Sequence, residues 1–270
     1  MAPRYKIYKA VETAQDTESR GQCWIGESIA ENIELCEYQT IGPMLLKYLP
    51  KDGKILESGC GLGRWVFFLR QRGFDILGID LAPQAVDAAK AYDSSAPIFF
   101  DDVLHSKYPN SHFDAAISLG VVEHFEEGPA SALAELHRLL RDGGMLLISV
   151  PVQNLFRRLL TNPLKDLYRM LRMRRGVTFL FEEYRYTRKD FESCLKAAGF
   201  EIIEVVPDDF RPPKNLGLYA DVRLFRSRHK KWELNALGSF VMLALNWISP
   251  WAGCSGAHWI CRKLADSNFR

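Results

Sequence analysis

The sequence has few features of a secreted protein or of a protein stabilised by structural metal ions. Its first 20 residues carry charges throughout and contain no apolar run of the kind found in a signal peptide. Cysteine is sparse and scattered, without a CxxC pair or a Cys/His cluster at zinc spacing. The six cysteines are Cys23, Cys36, Cys60, Cys194, Cys254 and Cys261. We therefore expect reduced thiols and a cytoplasmic protein.

The chain also lacks a dominant charge. It has 35 basic and 33 acidic residues, and a net charge of +2 creates no field that would attract nucleic acid. Charged residues are absent between Glu233 and Arg262, a stretch long enough to cross a bilayer. Asn235, Asn246 and Pro250 interrupt this stretch, and its end has the pattern of a strand. We therefore do not expect it to span a membrane.

Short apolar runs alternate with amphipathic helical patterns from about residue 54, which is typical of βαβ units. The predicted strands are Lys54–Glu57, Phe74–Ile79, Ile98–Phe100, Phe113–Leu119, Met145–Val150, Glu201–Val206 and Gly256–Cys261. Arg141–Gly144 is predicted to be a turn that leads into the fifth strand. This order predicts an α/β fold with a Rossmann-like, doubly wound, mostly parallel sheet of seven strands. Ligands of such sheets bind at the carboxyl ends of the strands.

A single domain over residues 1–270 accounts for this pattern. Its core is expected at about 45–151, 187–206 and 256–262. Two segments, about 152–186 and 207–255, follow the fifth and sixth strands on the side of the sheet where ligands bind. Asn162 and the proline after it predict a helix start in the first segment, and Gly176 predicts its stop. We expect both segments to be helical lid insertions.

The strongest local signal is the glycine-rich turn Leu56–Gly63, with the sequence LESGCGLG. Glycines there let the backbone approach a ligand closely and tolerate positive φ. A dinucleotide fingerprint needs glycine or alanine three residues after Gly61, where Arg64 stands. Glu57 would repel a pyrophosphate, whereas it would attract the ammonium and sulfonium groups of S-adenosylmethionine (SAM). The turn therefore favours SAM over NAD, which a hydride-transfer enzyme would bind.

With these motifs in order, the segment 55–151 resembles the class I SAM-dependent methyltransferases, and among them the branch of the ubiquinone-biosynthesis O-methyltransferases. The resemblance covers roughly residues 50–151 and 187–206. It implies SAM as the cofactor. The cofactor-binding residues that it implies are Glu57, Gly59, Gly61, Gly63, Asp80, Leu81, Asp102, Val103 and Leu119.

The resemblance also gives some of these residues individual roles. Asp80 would bind both ribose hydroxyls, and Asp102 would lie near the adenine amino group, with Asp101 as the alternative. The Leu119 backbone would lie beside the methionine portion of the donor. Asp114, at the opening of the fourth strand, is interpreted as structural.

The acceptor side is expected in the segment that follows the fourth strand. We predict His124 and Glu123 as the catalytic residues, because a histidine there can take a proton near neutral pH. A structural or substrate-positioning role for His124 is the alternative. Some relatives bind a divalent metal through an E-x-x-E-H pattern, but Gly120 replaces its first acid here. Because the oxygen-ligand set is then incomplete, we predict no metal.

The first insertion carries a basic amphipathic segment. Between Arg157 and Arg175 there are seven Arg or Lys residues and one acid, Asp166. Such a helix would bind an anionic acceptor or lie on an anionic membrane surface, and a solvated cover over the site is the alternative. Four aromatic residues downstream would line the acceptor pocket or pack in the core. They are Phe179, Phe181, Tyr184 and Tyr186.

We therefore expect a SAM-dependent methyltransferase that acts on a hydroxyl or amine of a small, anionic or lipid-linked metabolite. Peripheral membrane contact would occur through the 157–175 helix. One alternative is a methyltransferase of RNA ends, although the sequence shows no recognition domain for RNA. The other is a SAM-binding module without catalysis.

Overall fold

The computed structural model describes residues 5–11 and 26–265, so Cys23 lies outside the described residues. The strands are β1 Tyr5–Val11, β2 Lys54–Ser58, β3 Asp75–Asp80, β4 Ile98–Phe100, β5 Phe113–Leu119, β6 Leu140–Pro151, β7 Thr178–Arg185, β8 Phe200–Asp208 and β9 Gly256–Lys263. The α-helices are α1 Ile29–Leu35, α2 Ile41–Tyr48, α3 Arg64–Arg70, α4 Pro83–Tyr92, α5 Ala130–Leu139, α6 Asn162–Met173, α7 Arg188–Ala197, α8 Gly217–Asp221 and α9 Ala236–Ile248. Shorter helical turns cover Val122–His124, Arg157–Thr161 and Arg223–Phe225.

Seven strands form the central sheet in the order β4-β3-β2-β5-β6-β9-β8. Parallel pairing joins β4, β3, β2, β5 and β6, whereas β9 runs antiparallel to both of its neighbours. The predicted Rossmann-like sheet is confirmed. The chain order reverses between β2 and β5, and a crevice at the carboxyl ends of strands forms at such a switch point.

Helices cover both faces of the sheet because its central strands are apolar on both sides. In β5, Ala115 and Ile117 pack into one hydrophobic cluster, while Ala116 packs into the other. Side chains alternate between the faces of a strand, so a continuous apolar run serves both clusters. This burial fixes the strands that carry the site residues at their ends.

Two predicted boundaries are wrong in detail. The predicted turn Arg141–Gly144 lies within β6, where pairing with β5 jumps from Leu140 to Met145 and the residues between them form a bulge. Gly143 allows this bulge through its φ of +75°. The second insertion begins after Asp208, because β8 continues pairing with β9 to that residue.

The first insertion is not purely helical. After α6 it continues into β7, which pairs antiparallel with β1 in a separate two-stranded sheet. Tyr5 lies opposite Arg185, and Val11 lies opposite Thr178. The N-terminal segment, for which the sequence predicts no element, therefore completes this insertion.

The second insertion contains α8 and α9. The uncharged stretch between Glu233 and Arg262 divides into the 13-residue helix α9 and the strand β9. Within residues 5–11 and 26–265, no helix combines the length and the hydrophobicity that a membrane span requires.

Candidate active site

The glycine-rich turn lies between β2 and α3, at the switch point of the sheet. Gly59, Gly61 and Gly63 have φ values of +79°, +53° and +75°. A Cβ atom at Gly59 would lie 2.4 Å from Val121 Cγ2, and one at Gly63 would lie 2.1 Å from Ile98 Cδ1. The backbone conformation therefore favours glycine at all three positions, and at Gly59 and Gly63 the surrounding space does so too.

Asp80, at the end of β3, joins this turn to the next helix. One carboxylate oxygen accepts a hydrogen bond of 2.7 Å from the Gly61 amide, and the other accepts one of 2.8 Å from the Ala82 amide. Leu81 is exposed beside it, and so is Phe100, whose strand pairs with β3 at Asp80. Exposed apolar side chains next to an acid offer a surface for a planar base and its ribose.

Glu57 lies beneath the glycine turn and is only 3% exposed. Its Oε2 atom has no hydrogen-bond partner among the described residues. Burial raises the pKa of Glu57 to about 8; the Asp80 charge adds to this effect, and Arg64 opposes it. The carboxyl group lines a cavity together with Arg64 and Leu119. A buried carboxyl group with one unpaired oxygen in a cavity fits a cationic ligand group, because a positive charge would restore the ionised form.

The two acids after β4 differ in their contacts. The Asp101 carboxylate accepts hydrogen bonds from Ser106 Oγ at 2.8 Å and from the Asp102 and Lys107 amides, so it holds its own loop. Asp102 accepts a hydrogen bond from the Leu104 amide, and that bond keeps the pKa of Asp102 below its usual value. The partly exposed Asp102 remains the better candidate for the ligand, and its assignment stays a prediction.

Asp114 has the structural contacts that the sequence predicts. It accepts a hydrogen bond of 2.8 Å from the Lys54 amide and one of 2.6 Å from Arg141. These contacts tie the starts of β2 and β5 to the bulge in β6, at the edge opposite the ligand crevice.

A second cavity adjoins the first, and we call it the acceptor cavity. The two share Gln39, Arg64, Leu119 and Leu216 in their linings. Six further ionisable side chains line this cavity. They are Glu123, Arg157, Glu183, Arg185, Asp208 and His258.

Of the predicted catalytic pair, Glu123 lines this cavity and His124 does not. Glu123 is buried, and its Oε2 atom has no hydrogen-bond partner in the described part of the chain. Burial raises the pKa of Glu123 well above its usual value, and the nearby Glu183 and Asp208 raise it further. His124 is exposed, and its Nδ1 atom lies 2.8 Å from the Glu182 carbonyl oxygen of β7.

The structure brings a further acid, Glu183, close to Glu123 and His124, although it lies far from the metal pattern in the sequence. Ligand atoms of Glu123, His124 and Glu183 lie within 4.8 Å of one another, with Glu183 contributed by β7. Glu183 also lies 3.4 Å from Arg185 Nε, which competes with a cation for its oxygens. Gly120 stands where relatives carry an acid, and Arg185 engages Glu183. Because few oxygen ligands are then free, these residues do not fit a divalent metal well.

His258 and Asp208 form a pair that the sequence does not reveal. His258 is 1% exposed, and its Nε2 atom lies 3.0 Å from Asp208 Oδ1. Burial alone would raise the pKa of Asp208, but His258 and Arg64 hold it below its usual value. Because β9 is antiparallel, its first residues lie at the carboxyl ends of the other strands. That orientation is the one signal that could have placed His258 at the site.

Other predicted groups lie elsewhere. Phe181, Tyr184 and Tyr186 are buried in the core, and Phe179 lines a separate cavity between β1 and α6. The core-packing alternative therefore holds for the three buried rings. Arg157, predicted on the exposed basic helix, is buried instead, so that part of the prediction is wrong.

A seven-stranded sheet of this order, with a glycine turn and a buried acid at its switch point, defines a SAM-binding protein of the Rossmann-like class. The chain belongs to the methyltransferase-domain family, whose model matches residues 30–205. The predicted resemblance is confirmed, and the family and the fold imply SAM as the cofactor.

Individual relatives cover parts of the chain. It is 34% identical to the malonyl-[acyl-carrier protein] O-methyltransferase of Serratia marcescens over 96 residues, which are 36% of this chain and 37% of that one. It is 29% identical to the ubiquinone biosynthesis O-methyltransferase of Thiobacillus denitrificans over 155 residues, which are 54% of this chain and 64% of that one. The chain therefore spans less than two thirds of either relative.

Among solved structures, a SAM-dependent methyltransferase from Methanosarcina mazei is similar with a TM-score of 0.56. The similarity covers 83% of this chain and 98% of that chain at 19% sequence identity. It confirms the fold over nearly the whole of the solved protein.

Proposed function

We propose that this protein is a SAM-dependent methyltransferase that methylates a hydroxyl or amine of a small, anionic or lipid-linked acceptor. The observation that carries the proposal is the partnerless carboxyl oxygen of Glu57 among the described residues, in a cavity that continues into a polar acceptor cavity. The two insertions would act as the lid of the combined site.

Each donor-side residue has a distinct task in this proposal. SAM supplies the electrophilic methyl group when it is bound. Glu57 receives the ammonium group, Asp80 accepts hydrogen bonds from the ribose hydroxyls, and Leu81 and Asp102 hold the adenine. Leu119 lines both cavities, so its backbone marks the place where donor and acceptor meet. Alignment at that place is the main catalytic contribution of the protein.

The acceptor proton needs a base where the acceptor is a hydroxyl. To the predicted His124 and Glu123 we add His258 as a candidate base, because it lines the acceptor cavity and its Nε2 atom lies close to the Asp208 carboxylate. A carboxylate close to an imidazole helps to orient the ring for proton transfer. Glu123, whose protonated form is favoured by burial, is better suited to donate a hydrogen bond to the acceptor.

Labelled SAM tests the proposed reaction. The protein is incubated with labelled SAM and fractionated metabolites, and mass spectrometry locates the product that gains one methyl group. A label recovered in RNA would support the RNA-end alternative. SAM binding without any transfer would leave a non-catalytic module, and binding of NAD in place of SAM would overturn the assignment.

We also propose a peripheral contact with an anionic membrane through the two insertions. The second insertion has an apolar face on α9, where Phe240, Leu243 and Trp247 project at helical spacing and Trp247 is 90% exposed. On α6 of the first insertion, the exposed apolar residues are Leu164, Leu167 and Leu171. The exposed basic residues nearby are Arg158, Arg174 and Arg175. An apolar face bordered by basic residues matches an anionic lipid surface.

Flotation with liposomes tests this contact. The wild type should float with vesicles that contain anionic lipid at low salt, and it should be released at high salt. Trp247→Ser should weaken flotation, whereas Leu46→Ser, at an exposed leucine of α2, should not. Absence of flotation in every condition would refute the contact, and flotation that resists salt would indicate deeper insertion.

A further inference from the structure

A buried ionic cluster lies at the lid end of the acceptor cavity. The side chain of Asp221 in α8 is 2% exposed and faces three cations. Arg157 Nε lies 2.6 Å from one carboxylate oxygen, and Arg185 Nη2 lies 3.3 Å from the other. Lys165 Nζ lies 3.8 Å from the same carboxylate. Glu183 adds a second acid, beside Arg185, so the cluster has three cations and two anions.

Arg157 and Arg185 differ in whether their Nη1 atoms have hydrogen-bond partners. Arg157 Nη1 donates hydrogen bonds to the carbonyl oxygens of Val152, at 2.9 Å, and Ser255. Arg185 is 6% exposed, but its Nη1 atom has no hydrogen-bond partner in the described part of the chain. A buried donor that lacks a partner is costly, and it is more costly on a charged group. Burial also lowers the pKa of Arg185, with Arg157 as the next largest cause.

The unsatisfied donor belongs to a side chain that lines the acceptor cavity. Arg185 lines the acceptor cavity beside Arg157, whereas it does not line the donor cavity next to Glu57. An anionic group in the acceptor cavity would accept a hydrogen bond from Nη1 and pair with the Arg185 guanidinium. Carboxylate and phosphate oxygens are the usual partners of a guanidinium group.

We propose that Arg185, supported by Arg157 and Asp221, is an anion subsite that holds a carboxylate or phosphate group of the acceptor. This inference rests on the proposed function, because it names the acceptor class for the same site. The anionic group binds at the lid end, and the atom to be methylated lies towards Leu119 and His258. Asp221 positions both arginines and touches no acceptor.

Inorganic phosphate and acetate serve as probes for the two anion classes. Their binding to the SAM-loaded protein is measured by calorimetry, with SAM affinity measured separately for each variant. We expect the wild type to bind one of the probes and Arg185→Gln to lose at least about tenfold in affinity for it. Arg141→Gln, at an exposed arginine paired with Asp114, is the matched control and should bind the probe like the wild type.

A second variant keeps the test decisive if Arg185→Gln does not fold. Glu183→Gln removes an acid that competes for Arg185, so it should bind the anion more tightly than the wild type. Equal anion affinity in the wild type and the Arg185 variant, or weaker binding by Glu183→Gln, would overturn the subsite. Failure of the wild type to bind either probe would overturn it as well. If the wild type does not bind SAM at all, the proposed function is refuted instead.

Discussion

The buried acid beneath the glycine turn makes donor binding dependent on pH. Burial raises the pKa of Glu57 to about 8 in the ligand-free protein, so its carboxyl group is mostly protonated at pH values of about 6 to 7. A bound ammonium group requires the ionised carboxylate, and binding must therefore release a proton. The affinity for SAM should rise with pH throughout the range below this pKa.

The magnitude follows from the position of this pKa. Each pH unit below it lowers the ionised fraction about tenfold, which is about 1.4 kcal/mol. Between about pH 5.5 and about pH 7.5 the affinity should rise about a hundredfold, and the amino group of SAM itself remains charged over most of this range. The variant Glu57→Gln removes the titrating group and should give weaker, nearly pH-independent binding.

Calorimetry in buffers of different ionisation enthalpy measures both affinity and proton release. At about pH 6.5 we expect close to one proton released per SAM for the wild type and none for Glu57→Gln. The variant should also be at least as stable as the wild type without ligand. Wild-type Glu57 binds a proton on folding between its ordinary pKa of 4.5 and its raised pKa of about 8, so its contribution to stability declines as pH rises through that window. A pH-independent wild type, or an equal slope in the variant, would refute the reasoning.

Three further predictions concern other site residues. Asp80→Ala should weaken SAM binding at least about tenfold, measured by calorimetry, because two ribose hydroxyls lose a charged acceptor; unchanged affinity would place the ribose elsewhere. Activity should survive EDTA, since Gly120 and the Glu183–Arg185 pair leave few free oxygen ligands; loss of turnover that magnesium restores would contradict this. Once an acceptor is found, His258→Asn should lower kcat at least about a hundredfold. If His124→Asn alone does so, His124 is the base.

The local rules of the α/β pattern predict most of the sheet. The bounds predicted for β4 and β5 are those observed, and the other strands differ at their ends by a few residues. Each of these strands is an apolar run that ends near glycine, proline or an acid, so its length depends on neighbouring residues. The glycine turn and Asp80 are predicted for the same reason, because strand, turn and helix are neighbours in sequence.

Contacts between distant segments account for what the sequence does not predict. Strand β1 precedes the parallel core in the sequence, yet it pairs with β7, which follows that core. Asp208 meets His258 although the whole second insertion separates β8 from β9. Neither pair leaves a periodicity or a spacing that one sequence can reveal. Glu183 is another example. A metal pattern that is read from neighbouring residues shows only that Gly120 replaces an acid, and it does not show that Glu183 lies close by in the fold.

The first insertion shows why charge alone misleads. A basic, amphipathic segment is expected to expose its cations and bury its leucines, yet Arg157 is buried against Asp221 while Leu164 and Leu171 are exposed. Asp221 comes from the second insertion, so Arg157 and Lys165 acquire a buried partner that the local pattern does not contain. The leucines are then left facing outwards, on a protein whose second insertion also exposes Trp247. Arg157 at the cavity and apolar groups on the outside fit the proposal of an anionic acceptor that reaches the site from a lipid surface.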